Sequence, residues 1–180
     1  MNMKNKHLLF ITQAGIIAAL YAVLTIAQNL LLPGTASMAV QFRVAEVLCV
    51  LAIYTPAAIP GLTIGCVIAN ISSVSAGLGF YDMIFGSLAS FLAALTMYLL
   101  RNVRIKNIPF IALLMPAIFN GLIVGWEIAY FFAEGGFTFI GFLVTGGFVA
   151  LGELAVLLIL GVPFSILLNK KGKQMGIVLE

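Results

Sequence analysis

Carboxylates placed inside apolar runs are the residues of this sequence that could do chemistry. Five of its six acidic side chains lie in or beside such runs: Glu46, Asp82, Glu127, Glu134 and Glu153. A carboxylate in the middle of a hydrocarbon layer costs roughly 2.5 to 3.5 kcal/mol, so it normally faces a protein interior, a partner or a cavity. Such groups accept hydrogen bonds and attract cations, which suits the binding of a polar ligand.

Asn120 and Glu127 form the clearest pair, within the run PAIFNGLIVGWEIAY of residues 116–130. They are seven residues apart and therefore share one face of a helix, which continues to Glu134. An asparagine in this position could serve only to bond two helices together. Because Glu127 and Glu153 are both interior and no interior lysine or arginine matches them, a ligand site is favoured over helix bonding.

Three further features allow both a structural and a functional interpretation. Arg43 and Glu46 are three residues apart in QFRVAEVL and can face each other, either as an ion pair at a helix end or as part of a site. Trp126 could anchor the chain at a membrane interface or stack on a flat ligand. Asp82 and Glu134 lie near the outer boundary of the membrane, where contact with water alone could explain the presence of a carboxylate.

The composition indicates the environment of these residues. Of the 180 residues, 63% are hydrophobic and only 8% are charged. Soluble domains carry about 25% charged residues. The chain is therefore an integral membrane protein, and we expect one membrane domain over residues 1–180 without a separate soluble domain.

The apolar segments predict an all-α, polytopic bundle of six transmembrane helices. Four segments reach the ~20 residues that are needed to cross ~30 Å of hydrocarbon. These are residues 8–32, 81–100, 108–132 and 143–168. Between the first two, the prolines of TPAAIPG break the apolar stretch, so we predict two short helices at about 44–55 and 59–74. This broken second and third helix could form two thin spans or a re-entrant pair.

The basic residues orient this bundle. With six spans, eight of the nine Lys and Arg residues fall on one face: Lys4, Lys6, Arg101, Arg104, Lys106, Lys170, Lys171 and Lys173. The positive-inside rule makes that face cytoplasmic, with both termini inside the cell membrane. Arg43 is the exception, because it falls at the outer end beside the second helix.

The residue types offer little for enzyme chemistry. The only histidine, His7, lies in the cytoplasmic tail, and the sequence has no HExxH pair, nucleophile elbow or GxxxxGK[ST] phosphate loop. Cys49 and Cys66 have no metal-ligand spacing and are interpreted as packing residues. We therefore expect no enzyme, metal or cofactor, and active transport would need an ion gradient or a separate ATPase.

The first helix carries a row of small residues in AGIIAALYAVL. Ala14, Ala18 and Ala22 repeat every four residues and are flanked by Gly15 and Ala19. Small residues at this spacing let two helix backbones approach closely. The row predicts a docking surface for a partner protein, with packing inside the bundle as the alternative.

The order and spacing of several segments resemble a known family, the QueT-type queuosine-precursor substrate-binding subunits of energy-coupling factor (ECF) transporters. The segments are the first-helix alanine row, QFRVAEVL, AIPGLTIGCVIAN, DMIFGSLAS, FNGLIVGWE and the LGE at residues 151–153. The resemblance covers nearly the whole chain, and PGTASMA and FFAEGGFTF are particular to this sequence.

The resemblance implies a six-helix membrane subunit that binds a deazaguanine base from outside, in a pocket under residues 33–42. It also implies docking, through the first-helix row, on a transmembrane coupling protein that carries two cytoplasmic ATPases. A carboxylate, Glu127 or Glu153, could accept both adjacent N–H donors of a guanine-like edge. A second carboxylate would suit an aminomethyl substituent on the base.

The other candidate substrate-binding residues have complementary roles in this scheme. Asn120, Asn70 or Arg43 could donate to the base carbonyl, and Trp126 or Tyr81 could stack on the ring. Glu46 and Asp82 complete the set of candidates. Two interpretations compete with this one: an ion- or proton-coupled small-molecule carrier, and a substrate-binding subunit for another vitamin-like substrate.

Overall fold

The computed structural model describes residues 3–33, 35, 40–75, 79–105 and 108–171. Throughout these ranges the regular secondary structure is helical, apart from one isolated bridge between Ile105 and Ile108. The α-helices are α1 Met3–Leu31, α2 Ala58–Ser75, α3 Gly79–Leu99, α4 Phe110–Leu113, α5 Met115–Glu127, α6 Phe139–Val156 and α7 Val162–Lys171. A 3₁₀ helix, Val44–Ile53, precedes α2, and π-helical turns at Ile128–Phe132 and Leu157–Gly161 follow α5 and α6.

Four helical segments are long and apolar enough to cross a membrane. They are Asn5–Leu31, Phe80–Leu99, Phe110–Phe132 and Phe139–Lys170. The predicted all-α membrane architecture is confirmed to this extent. The two shorter predicted helices are also present, as the 3₁₀ helix and α2, but the ten residues of the 3₁₀ helix span only ~20 Å at ~2 Å each. A complete six-span bundle and a single domain over residues 1–180 stay predictions.

Prolines determine where several helices break. Pro60 lies in the first turn of α2, where backbone N–H groups have no helical partner and a missing one costs little. Pro116 is the second residue of α5, which begins two residues after the end of α4 at Leu113. Pro163 follows the turn Leu157–Gly161, and its ring would clash with the carbonyl four residues earlier in a regular α-helix. The wider π-helical turn accommodates that proline without ending the helix.

The 3₁₀ helix is the buried centre of the fold. Eight of its ten residues are buried, and it packs against α1, α2, α3, α6 and α7. Side chains three residues apart are eclipsed in a 3₁₀ helix. Glu46 and Cys49 therefore lie in line on this helix, and Glu46 faces Tyr21 of α1. Arg43 precedes the helix in an extended conformation and contacts Cys66 of α2.

Polar contacts bring distant parts of the chain together at one end of the molecule. Arg104, after α3, donates to the Asn169 side chain of α7 at 3.0 Å, and the Tyr54 hydroxyl donates to the same oxygen at 3.0 Å. Thr55 donates to Gln13 of α1 at 3.1 Å. The N-terminal half of α1, the segment after α3 and the end of α7 thus lie at one end, here called the basic end, whereas Lys106 and Lys173 of the predicted basic face lie outside the described residues.

Glycines bring the helices into close contact. A Cβ atom on Gly65 of α2 would lie 2.8 Å from the Ala18 carbonyl oxygen of α1. On Gly146 of α6, it would lie 2.5 Å from the Gly121 carbonyl oxygen of α5. Real Cβ atoms do not approach this closely, so both contacts depend on the missing side chain.

The small-residue row of α1 faces mainly inward. Ala18 and Ala22 are buried, and Ala14 is half-buried. Since α2 packs against Ala18, these alanines fill the internal-packing role that was the alternative to docking. The small residues that α1 exposes are Gly15 and Ala19, which are also four residues apart.

Two adjacent glycines of α6 test the close packing of α5 and α6. Gly146→Ala should destabilise the protein by about 1 to 3 kcal/mol, because the new methyl group meets the Gly121 backbone. Gly147→Ala should not, since no atom lies within 4 Å of a Cβ there and alanine favours helix. Thermal melts of both purified variants in one detergent measure the difference. Equal melting temperatures would contradict this packing.

Candidate functional site

Two groups of buried polar side chains lie in the interior. The first, called the Arg43 cluster, surrounds the start of the 3₁₀ helix and contains Tyr21, Arg43, Glu46, Cys49, Cys66 and Asn70. The second, called the acceptor group, belongs to α5 and α6 and contains Asn120, Glu127 and Glu153. All nine side chains are buried, so the interior of the protein contains many polar groups.

Glu46 is the best-satisfied member of the Arg43 cluster. The Tyr21 hydroxyl donates to its Oε1 at 2.6 Å, and the Cys49 thiol donates to its Oε2 at 2.9 Å. Arg43 Nε lies 3.8 Å from Oε1, so the predicted Arg43–Glu46 ion pair is confirmed. Both oxygens of this buried carboxylate therefore have partners, which makes Glu46 a structural charge.

Arg43 is held more loosely than Glu46. Its Nη2 donates to the Tyr21 hydroxyl at 3.4 Å and to the Cys66 sulfur at 3.7 Å. These contacts, like the ion pair, are longer than strong charge-assisted hydrogen bonds of ~2.7 to 2.9 Å. A guanidinium carries five N–H donors, so Arg43 can bind a ligand oxygen without leaving its cluster.

Asn70 and Asn120 direct their amide N–H groups at the protein itself. Asn70 donates to the Asp82 carbonyl at 3.0 Å and to Cys66 at 3.6 Å, linking α2 to α3. Asn120 donates to the Pro116 carbonyl at 3.1 Å and to Glu153 Oε2 at 2.9 Å. An amide has two N–H donors, so neither residue has one left for a ligand in this arrangement. Of the three predicted donors to a base carbonyl, the geometry favours Arg43.

The acceptor group contains buried oxygens that lack a hydrogen bond. Asn120 Oδ1, Glu127 Oε2 and Glu153 Oε1 have no partner in the part of the chain that the structure describes. Each unsatisfied buried polar atom costs about 1 to 3 kcal/mol, and folded proteins contain few of them. Three such acceptors on two adjacent helices indicate a place for a ligand with hydrogen-bond donors.

Backbone packing brings the two groups together. Gly152, next to Glu153 on α6, packs directly against the backbone of Gln41, two residues before Arg43. The 3₁₀ helix that carries Glu46 also packs against α6. The Arg43 cluster and the acceptor group therefore border the same interior region. Asp82 is half-buried beside it, whereas Glu134 is exposed and so agrees with the water-contact interpretation.

Gln28 of α1 holds the chain that leads into this region. Its side-chain amide donates to Thr35 at 3.1 Å and to the Phe42 carbonyl, and its oxygen accepts the backbone N–H of Val44 at 2.9 Å. Gln28 thereby fixes the chain on either side of Arg43. Of the predicted pocket cover at residues 33–42, positions 34 and 36–39 lie outside the described residues.

Sequence reasoning missed Tyr21, Gln28 and the polar role of both cysteines. A signal for α1 was present, because Tyr21, Thr25 and Gln28 follow the i, i+4, i+7 spacing of one helix face. The thiols gave no such signal. Their hydrogen bonds arise from the fold, which places each sulfur against a charged or amide group.

Aromatic rings line the end of the molecule opposite the basic end. Tyr81 stacks on Phe131 with ring centroids 3.9 Å apart, and Trp126 stacks on Tyr130 at 5.0 Å. Phe85 contacts both Trp126 and Phe131, so the rings form one cluster. Glu127 follows Trp126 directly in the chain and is the last residue of α5. Stacking on a ligand by Tyr81 or Trp126 stays a prediction.

Comparisons with known proteins agree with the resemblance seen in the sequence. A family model described as QueT transporter matches residues 11–170. A protein named Queuosine precursor transporter QueT, from Lactococcus lactis subsp. cremoris (strain MG1363), is 30% identical over 181 residues, covering 97% of this chain and 99% of that relative. No solved structure matches the chain. Since the family model spans most of the sequence and the relative aligns from end to end, this chain belongs to the QueT transporter family.

Proposed function

We propose that this chain is the substrate-binding membrane subunit of an ECF-type ABC transporter that takes up a queuosine precursor, a deazaguanine base, from outside the cell. The observation that carries the proposal is the set of buried acceptors on Asn120, Glu127 and Glu153, without donors in the described part of a QueT-family chain. A guanine-like edge supplies adjacent N–H donors beside a carbonyl acceptor. The acceptor group and Arg43 complement these two features.

The roles of individual residues follow from their free hydrogen-bonding capacity. Glu127 accepts the two adjacent N–H donors of the base edge, and Arg43 donates to its carbonyl. Tyr81 or Trp126 covers the ring, because the aromatic cluster lies at the end of α5 that carries Glu127. Glu46, Asn70 and Asp82 act indirectly, through Arg43 and through the packing of α2 on α3.

The energy for uptake comes from partner subunits in this proposal. The sequence has no GxxxxGK[ST] loop, so a transmembrane coupling protein with two cytoplasmic ATPases supplies ATP hydrolysis. The docking surface is the exposed face of α1 around Gly15 and Ala19, where a Cβ on Gly15 would meet no atom within 4 Å. Two exposed small residues four apart let a partner helix approach closely.

The orientation of the subunit follows from its charge distribution. The basic end faces the cytoplasm by the positive-inside rule, and the aromatic cluster lies near the outer surface of the cell membrane. Six helical segments then place both termini inside, with the 3₁₀ helix and α2 returning the chain to its starting side.

A carrier driven by an ion or proton gradient is the second candidate. It is favoured by the unpaired carboxylate oxygens of Glu127 and Glu153, because interior acidic residues are typical of such transporters. Uptake that persists with ATP but without ion gradients supports the ECF subunit. Uptake that stops when the gradient collapses, with ATP still present, supports the carrier.

Replacing Glu127 tests the base-binding site. Glu127→Gln keeps the shape but places a donor opposite one N–H of the base, which costs about 1 to 3 kcal/mol, or roughly ten- to a hundredfold in affinity. Binding isotherms of the purified chain with a deazaguanine base measure this, and Glu134→Gln, on the exposed turn, is the matched control. An unchanged affinity of the Glu127→Gln variant would show that Glu127 does not bind the ligand. Equal losses of affinity and melting temperature would indicate a structural role.

Leucine substitutions on α1 test docking. Ala19→Leu adds bulk to the exposed face, so uptake should be lost while the isolated subunit binds its ligand normally. Ala18→Leu adds the same bulk to the α1–α2 contact and should lower the melting temperature instead. Gly147→Leu adds bulk to the exposed face of α6 and is the control for lipid contact. Normal uptake by Ala19→Leu would place the docking surface elsewhere.

Cysteine labelling tests the orientation. A membrane-impermeant maleimide should label Glu134→Cys in intact cells and should label Val103→Cys only after permeabilisation. The natural thiols, Cys49 and Cys66, are buried and should give little background. Labelling of Val103→Cys in intact cells would place the basic end outside and refute the orientation.

A further inference from the structure

We propose that Arg101, Arg104 and Lys170 form a binding site for the phosphate group of an anionic phospholipid, at the basic end of the molecule. The inference goes beyond the proposed function, because it concerns a different ligand at a different place in the fold. It also goes beyond the positive-inside rule, which accounts for the sign of these charges but requires no fixed arrangement of them.

Arg104 holds the segment after α3 against the end of α7. Its Nη1 donates to Asn169 Oδ1 at 3.0 Å, and the same oxygen accepts a hydrogen bond from the Tyr54 hydroxyl at 3.0 Å. Lys170 follows Asn169 directly and is exposed, as is Arg104 itself. Cations from two distant parts of the sequence are therefore brought to one end of α7.

Arg101 is fixed beside Arg104 by contacts that leave its charge unpaired. Its Nη1 donates to the Tyr98 carbonyl at 2.7 Å, and its guanidinium carbon lies 3.9 Å from the centroid of the Tyr98 ring. Arg104 Nε donates to the Arg101 carbonyl at 3.3 Å. The acceptors in these contacts are neutral, and neither arginine forms an ion pair within the part of the chain that the structure describes.

The two arginines keep donors for an anion. A guanidinium has five N–H groups, of which Arg104 uses two and Arg101 uses one in the contacts above. Holding like charges close together is unfavourable, and ordering long side chains also costs conformational entropy. A bound phosphate relieves the repulsion between the cations, and its oxygens accept the charge-assisted, often bidentate hydrogen bonds that guanidinium groups favour.

The position of the cations favours a lipid headgroup as the source of this phosphate. The candidate membrane spans Phe80–Leu99 and Phe139–Lys170 both end beside them, so the cations lie where the apolar helices give way to polar chain. Headgroups of a bilayer lie at this depth, and anionic headgroups attract basic residues there. Leu99 and Leu167, close to the same two ends, are exposed and offer apolar surface to acyl chains. A free phosphate ion would gain nothing from that surface.

Two phospholipids that share their acyl chains and differ in net charge test the proposal. The purified chain in detergent is titrated with anionic dioleoylphosphatidylglycerol or with zwitterionic dioleoylphosphatidylcholine, and native mass spectrometry measures the bound lipid. The wild-type chain should bind the anionic lipid at least about fivefold more tightly. Arg101→Gln and Arg104→Gln should each weaken this binding roughly fivefold, because each removes one cation, and should leave phosphatidylcholine binding unchanged. Glutamine at position 104 keeps an N–H donor for Asn169.

Control variants separate a local site from general attraction between opposite charges. Lys6→Gln removes an exposed cation of the same basic end from α1, which packs on α2 and the 3₁₀ helix, and should leave the binding of both lipids unchanged. Arg104→Lys keeps the charge and should weaken the anionic lipid less than Arg104→Gln does. Lys170→Gln should also weaken it roughly fivefold and provides a second test if an arginine variant lowers the melting temperature.

Three results would overturn the lipid site. Equal wild-type affinities for the two lipids, or an equal loss in Lys6→Gln and in the arginine variants, would show that no local phosphate site exists. Inorganic phosphate that displaces phosphatidylglycerol at equal concentration would show a site for a free anion. Arginine variants that lose uptake but bind both lipids like the wild-type chain would assign these cations to an acidic partner protein.

Discussion

The buried charge of Glu46 is the constraint on which the arrangement of the first three helical segments depends. A carboxylate at the centre of a membrane protein needs donors from the protein itself, because lipid offers none. The 3₁₀ helix supplies one of its partners, Cys49, and Arg43, which directly precedes that helix, supplies another. The third, Tyr21, comes from α1. Satisfying one side chain thereby fixes how α1 packs on the buried 3₁₀ helix.

The same cluster links the proposed ligand site to the proposed docking helix. Arg43 contacts Tyr21, which lies on α1 one turn beyond Ala18. Gly65 of α2 holds α1 at close range, so the helix that carries Tyr21 packs tightly beside the Arg43 cluster. Gln28 adds a further connection, because it holds the backbone on both sides of Arg43. Tyr21 of α1, Arg43 with the 3₁₀ helix that follows it, and Cys66 of α2 therefore form one connected polar cluster.

The sequence predicted the features that depend on composition and spacing. Apolar length located the four long helices, the prolines of TPAAIPG located the two short ones, and the Arg43–Glu46 spacing predicted their ion pair. It could not predict contacts that depend on how helices rotate against each other. The seven-residue spacing of Asn120 and Glu127 suggested a common role, but Asn120 instead pairs with Glu153 across α5 and α6. For the same reason, the sequence could not determine that the alanine row of α1 faces the interior of the protein.

The three buried carboxylates of this interior differ in how far their hydrogen bonds are satisfied. Glu46, Glu127 and Glu153 are all inaccessible to solvent and would look alike by exposure alone. Only Glu46 has partners on both oxygens among the described residues, whereas Glu127 and Glu153 each keep one without a donor. A purely structural role would favour replacing such a group with an apolar side chain, since that removes the desolvation cost and leaves no atom unsatisfied. The oxygens without donors on Glu127 and Glu153 are consistent with ligand binding, because a bound ligand would supply the hydrogen-bond donors that they lack.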